Sequence, residues 1–586
     1  MVPQLTFPRQ SARTRGFSLG VPRSFRVADD GSRVVFLRSG SGHDPLTALW
    51  VLDVGAGVER LVADPRDALE GGAEDLPGAE RARRERTREQ AGGFVAYDTD
   101  PACTTAVAAL GGRLVLVDLV EGRTRALDAQ PGAFDPRLSP TGRHVAYVDG
   151  LDLRVLHVGG EDRVVSRSED PEVSWGSAEF VAAEEMGRSR GHWWSPDGER
   201  LAVARVDVSP VDRWHIADLA EPRNPPTAIR YPAAGGENAR VGLWTFGLDG
   251  TATPIRWDDT RFPYLVSVDW SASGLLLAVE SRDQRTMDVL LADPAGGTTS
   301  LRRQEDATWV DIVPGTPAFV GERLITAENA GGARRLTVDG VAVTPAGLQV
   351  RSVVSGDDDS GDVLLNGSED DPTVVHVYRV NVDGAVDRLT EGDGVHSALA
   401  SGGGVVVISS RSMDRDGVLV EVRRGGEPLR TVPSHAEAPL VRPHADFAVV
   451  GKRRLRTAVL FPSALFPSGS RSGALPVLMD PYGGPHAQRV MRARGAFLTS
   501  QWLADQGFAV VVVDGRGTPG RGPEWERAVL GDLAGPILDD QVDALQALAR
   551  DDDRLDLSRV GIRGWSFGGY LAALAVLRRP DVFHAA

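Results

Sequence analysis

The stretch VGIRGWSFGGYLAALAVLRRP, residues 560–580, decides the fold of the C-terminal part of the chain. Arg559–Arg563 reads as a short strand, and Tyr570–Arg578 reads as a helix that Pro580 stops. Between them Gly564-Trp565-Ser566-Phe567-Gly568 spells G-x-S-x-G in the setting that gives it meaning: strand, tight turn, helix. Such a turn strains the serine backbone, so it needs the room that Gly564 and Gly568 provide. Ser566 Oγ would then stand clear at the carboxyl edge of a sheet, with a helix N-terminus behind it that favours developing negative charge. Ser566 is the candidate nucleophile. The amide of Phe567, directly after it, is the natural first donor to an oxyanion.

Working back from the elbow, Ala474–Met479 and Phe508–Val513 are apolar runs suited to strands buried on both faces, as in a parallel sheet. A helix around Leu503 separates them, and DDQVDALQALAR (539–550) reads as an amphipathic helix with acids at its start. The alternation predicts a doubly wound α/β domain over 441–586. A second oxyanion donor should come from the loop after an earlier strand, where DPYGGPH (480–486) lies. Tyr482 could serve by its hydroxyl, a backbone amide could serve instead, or the tyrosine could simply pack the loop. GRGTPG (515–520) spells G-x-G-x-x-G, but Pro519 and the following Arg521-Gly522 predict a rigid surface loop in place of a dinucleotide site. With no H-E-x-x-H and no paired cysteines, neither a metal nor a cofactor is expected.

Residues 1–440 follow a different grammar. Four segments share a turn built on Asp-Gly, Ser-Pro-x-Gly or a looser copy, followed by an alternating strand: ADDGSRVVFLRS (28–39), LSPTGRHVAYVDG (138–150), WSPDGERLAVARVD (194–207) and WSASGLLLAVESRD (270–283). Weaker strands fill the gaps, among them 111–120, 361–368, 373–384 and 403–411. An irregular repeat with several strands per unit predicts a multi-bladed β-propeller, with a pair of β-sandwiches as the competing arrangement. LPGAERARRERTREQ (76–90) interrupts the pattern as a charged helix, expected to present a solvated face.

Composition is that of a globular protein: 586 residues, 42% hydrophobic and 25% charged. That length exceeds one hydrophobic core, so two domains are expected. The net charge of −16, from 81 acidic and 65 basic residues, argues against a nucleic-acid groove. Cys103 is the single cysteine, so no intrachain disulfide forms, and a buried small hydrophobe is its expected role. No apolar run of about 18 residues and no signal-peptide core occurs, so no membrane partner is expected and a cytoplasmic location is the default.

With these residues in view, GWSFGGY (564–570), DGRGTPGRG (514–522) and DPYGGPH (480–486) resemble the prolyl oligopeptidase clan of serine peptidases. FVAAEEMGRSRGHWWSPDGERLA (180–202) resembles the double-glutamate motif and tryptophan-rich blade strand of the dipeptidyl-peptidase IV family, with the spacing of its cytosolic branch. The resemblance implies release of N-terminal dipeptides from peptides with a free N-terminus, with proline or alanine second. Glu184 and Glu185 match the carboxylates that hold the substrate's α-amino group, a charge-assisted contact that would measure two residues to the scissile bond. Tyr482 matches the oxyanion-hole tyrosine, and Phe567 stands at a position commonly tyrosine. The substrate-supporting arginine of the family has no evident counterpart. A homodimer of the full-length protein is also implied.

Alpha/beta-hydrolases place the acid and histidine after the serine. Asp581 and His584 follow Ser566 too closely to serve as orienter and base, so the catalytic Asp and His are expected beyond Ala586. The chain then reads as a C-terminally truncated peptidase, inactive on its own. The alternatives are a propeller-based peptide-binding protein without catalysis, another peptidase of the prolyl oligopeptidase clan and, less in keeping with the glutamate pair, an esterase.

Overall fold

The computed structural model describes residues 5–68, 74–465 and 473–586. Eight antiparallel sheets follow one another over 23–63, 98–126, 134–166, 173–255, 264–305, 318–342, 349–388 and 395–432, each with four strands in chain order along its main path. They are the blades of an eight-bladed β-propeller. The ring closes between first and last blades: Phe25, Val27, Val34 and Phe36 share one core with Val405, Val407, Val420 and Val422.

The repeated turn explains why these sequences make blades. In each of blades 1, 3 and 4 it joins an inner strand to the next one. Gly31, Gly142 and Gly198 take φ of 68°, 70° and 72°, and each glycine amide returns to a carbonyl three residues back, on Ala28, Ser139 and Ser195. A glycine adopts this left-handed conformation at no steric cost. The strand that follows is almost wholly buried, as in Arg33–Ser39 and Gly274–Glu280, because neighbouring blades cover both of its faces.

The second domain begins with a hairpin, Ala445–Val450 and Leu455–Leu460, that adds two antiparallel strands to one side of the sheet. Strand order is 445–450, 455–460, 509–514, 475–479, 555–562, and the last three are parallel. The strands expected to be parallel are parallel, and the hairpin that makes the sheet mixed is an addition, since a short reversal after Val450 permits antiparallel pairing without a crossover. Helices Leu498–Ala504, Gly535–Asp551 and Phe567–Arg578 cover it. Ala585 continues the sheet by an isolated parallel bridge to Gly561.

Partly buried charge joins the two domains. Arg527, on the short helix Pro523–Arg527, pairs with Asp306 at 2.8 Å, donates to Trp309 O at 2.7 Å and lies over the Trp309 ring. Arg334 of blade 6 bridges Asp311 and Glu526, each at 3.0 Å. The N-terminal helix Phe7–Arg13 stacks Phe7 on Trp502 and ties Gln10 to Glu437, Ala438 and Leu440 in the interdomain linker.

Candidate active site

Ser566 sits at φ 53°, ψ −121°, the strained turn that the sequence predicts, between the strand Leu555–Ile562 and the helix Phe567–Arg578. A side chain at Gly564 would overlap the Gly568 carbonyl, and one at Gly568 would come within 2.6 Å of Pro481 O. Both glycines are therefore steric requirements of the turn. Ser566 is exposed. The amides of Gly568, Gly569 and Tyr570 turn back onto Trp565 and Ser566 carbonyls. The Phe567 N–H has no such backbone partner among the described residues, leaving it free for an incoming oxygen.

The 480–486 loop lies directly against this first helical turn. Gly483, at φ 72°, passes so close to the helix that a Cβ there would meet Leu571 at 2.6 Å. Tyr482 and Phe567 have ring centroids 6.0 Å apart, and Phe567 and Tyr570 are 5.4 Å apart. The loop is pinned at both ends. Asp480, nearly fully buried, accepts from Ser500 Oγ at 2.8 Å and pairs with Arg489 at 3.0 Å, with Arg563 at 3.7 Å. Asp514 accepts from the Arg489 and Val490 amides, and complete burial pushes its carboxyl up to about 6.

Glu184 and Glu185 end the helix Phe180–Glu185, both exposed. Their position is fixed by Glu179, which caps the helix by accepting from Ala182 N at 3.2 Å and pairs with Arg188 at 2.7 Å. Arg188 also donates to the carbonyls of Leu265 and Arg190. Arg86 stands 3.7 Å from Glu184 and lies over the Phe180 ring. It comes from the charged 76–90 stretch, where the helix spans Gly78–Arg86. The expected solvated face is only part of that helix: Glu80 and Arg84 are buried, and Arg84 pairs with Glu74 and Glu80 at 2.6 Å. Sequence reasoning missed Arg86 because its partner lies about a hundred residues away. The only local signal was the run of arginines.

Three other expectations can be placed. The G-x-G-x-x-G loop is mostly buried, not on the surface. Arg516 grips the fully buried Asp540 at 2.9 Å, Thr518 donates to Gly515 O, and Trp525 Nε1 donates to the same carbonyl. Cys103 is buried, and burial pushes its thiol up to about 11. Asp581 pairs with Arg579, and His584 Nδ1 accepts from Val560 N at 3.0 Å, so neither is engaged with Ser566. Among the described residues no cluster of His, Cys, Asp or Glu could hold a metal ion, and no helix is long and apolar enough to cross a membrane.

Comparison with known proteins fits this arrangement. The family model described as dipeptidyl peptidase IV N-terminal region matches residues 107–414, more than half of the chain, and that of the prolyl oligopeptidase family matches 496–586. Dipeptidyl peptidase 8 of Mus musculus is 25% identical over 639 residues, covering 86% of this chain and 70% of that protein. Its Homo sapiens counterpart is 24% identical, covering 77% and 62%. Dipeptidyl peptidase 4 of Arthroderma otae is 25% identical, covering 76% and 62%. The chain thus spans 62% to 70% of the length of these relatives. The crystal structure of Porphyromonas gingivalis dipeptidyl peptidase 4 superposes with a TM-score of 0.80 at 21% identity, over 99% of this chain and 83% of that one. With a propeller and an elbow domain in this order, and both matched, the chain belongs to the dipeptidyl peptidases of the prolyl oligopeptidase family.

Proposed function

We propose that the full-length protein is a serine exopeptidase that removes Xaa-Pro or Xaa-Ala dipeptides from the free N-terminus of peptides. The observation that carries this reading is the pinned glutamate pair with Arg86 beside it, in a chain that also presents a strained serine elbow. In this reading Glu184 and Glu185 hold the cationic α-amino group by charge-assisted hydrogen bonds. Arg86 pairs with Glu184 when the site is empty; a bound amine releases it to donate to the first peptide carbonyl. The second residue would lie against the apolar faces of Phe567 and Tyr482.

Ser566 Oγ attacks the second carbonyl as its proton passes to a histidine that follows Ala586 in the full-length protein. The oxyanion is held by the Phe567 N–H and the Tyr482 hydroxyl. The histidine returns the proton to the leaving amine, and water attacks the acyl-enzyme to free the dipeptide. An ester would give the glutamates no cation to hold, which disfavours the esterase alternative.

The test is hydrolysis of a dipeptidyl arylamide with a free amine. Glu184→Ala with Glu185→Ala should lower kcat/KM by about 10³-fold or more, consistent with loss of two charge-assisted bonds. Ser566→Ala should abolish turnover while leaving peptide binding intact. Unchanged turnover in the double glutamate variant would refute the exopeptidase reading. Binding without turnover in the full-length wild type would favour a propeller-based binding protein.

A further inference from the structure

Two helices end at one cavity, and both end the same way. The helix Phe7–Arg13 is followed by Thr14 and then Arg15 at φ 50°; the Arg15 amide bonds Ala12 O and the Gly16 amide bonds Ser11 O. The helix Gly78–Arg86 is followed by Thr87 and then Arg88 at φ 57°; the Arg88 amide bonds Glu85 O and the Glu89 amide bonds Arg84 O. Each pair of bonds is a Schellman motif, whose left-handed position is usually glycine because a Cβ is strained there. An arginine at both positions retains that strain twice, and such outliers point to a use for the side chain. Capping is not that use, since among the described residues neither guanidinium forms a hydrogen bond or an ion pair.

Both arginines line a cavity of about 330 Å³ between the N-terminal segment and residues 87–91, together with Arg23, Ser18 and Thr87. Its one acid is Glu89, which Arg23 engages at 2.7 Å. Arg15 Nη1 and Arg23 Nη2 are buried with no hydrogen-bond partner. Three guanidiniums against one carboxylate leave a cationic enclosure with unused donors, and planar donor forks suit carboxylate and phosphate oxygens. The size falls at the lower end of small-molecule pockets.

We propose that this cavity binds a small multivalent anion, a di- or tricarboxylate or a phosphate, between Arg15, Arg23 and Arg88. One wall runs without interruption into the helix that places Arg86 against Glu184. The other runs into the helix whose Phe7 stacks on Trp502 of the second domain. An occupant therefore braces the arginine helix against the N-terminal segment and tightens the amine end of the proposed substrate site.

The test is calorimetric titration of the protein with citrate and, separately, inorganic phosphate, at fixed ionic strength so that screening is constant. Saturable binding of one anion per chain is expected; tighter citrate binding would assign a carboxylate ligand, tighter phosphate binding a phosphate. Arg15→Gly with Arg88→Gly places glycine where the backbone favours it, so the variant should fold at least as well while losing about tenfold or more in anion affinity. No saturable heat from either anion at millimolar concentration, or equal affinity in the glycine variant, would overturn the site. The coupling rests on the proposed function and is read separately: the anion should lower KM about twofold or more in the full-length wild type and not in the glycine variant. Binding without that change in KM would refute the coupling while leaving the site in place.

Discussion

Replacing Arg188 with alanine should release the helix that carries Glu184 and Glu185. The Glu179–Arg188 pair has both side chains 5% exposed at 2.7 Å, and Arg188 also satisfies the Leu265 and Arg190 carbonyls. Arg188→Ala leaves the Glu179 carboxylate buried without its cation, which costs about 3–5 kcal/mol. A helix of six residues, Phe180–Glu185, has little stability of its own. The cost should therefore appear as local opening, with the propeller intact. At about 1.4 kcal/mol per tenfold, amide exchange over 180–188 should accelerate by about 10²- to several 10³-fold, read by hydrogen-exchange mass spectrometry. KM for a dipeptidyl substrate should rise in parallel. Glu179→Leu with Arg188→Met removes both charges and should recover part of the protection, short of about 1 kcal/mol for the lost cap and of the two carbonyl contacts that Arg188 made. Acceleration of less than tenfold in Arg188→Ala would refute the idea that this pair holds the glutamates.

Two further outcomes follow from burial and strain. Glu280 is fully buried with both oxygens unpartnered; burial, then Asp283 and Asp311, push its carboxyl up to about 8 from an ordinary value of 4.5. Its folded form resists ionising, so propeller stability should fall as pH rises from about 4.5 to about 8, by about 4–5 kcal/mol in full. Glu280→Met should flatten that dependence and melt higher than wild type above pH 8; parallel melting curves from pH 5 to 9 would contradict it. Gly564→Ala would drive a methyl into the Gly568 carbonyl, so it should cut activity by about 10²-fold or more by displacing Ser566, and wild-type kcat would show that the turn does not depend on that close approach.

Much of this molecule was legible where local chemistry alone sets geometry. The elbow could be read because G-x-S-x-G needs its glycines for steric reasons, and blades 1, 3, 4 and 5 because their turns repeat. Blade 6 carries no such signal: its first turn has Gly321 but neither Ser-Pro nor Asp-Gly, and arginines and glutamates interrupt its strands. The loop at 515–520 was misjudged as a surface feature because its burial comes from Asp540 and Trp525, which arrive from later elements. Arg86, the Glu179–Arg188 pair and the left-handed Arg15 and Arg88 depend on contacts or dihedrals that spacing does not reveal. The acid Glu179, just before the apolar start of the glutamate helix, was the one cap signal available.

The central claim joins an amine anchor to a serine, so the most direct measurement is the product mass spectrum of the full-length protein acting on one proline-second peptide in two forms. With a free N-terminus, loss of the N-terminal dipeptide alone is predicted. With the N-terminus acetylated, no cleavage is predicted, because the glutamates would face a neutral amide. Cleavage of the acetylated peptide at a comparable rate, or cuts at internal prolines in either form, would contradict the account.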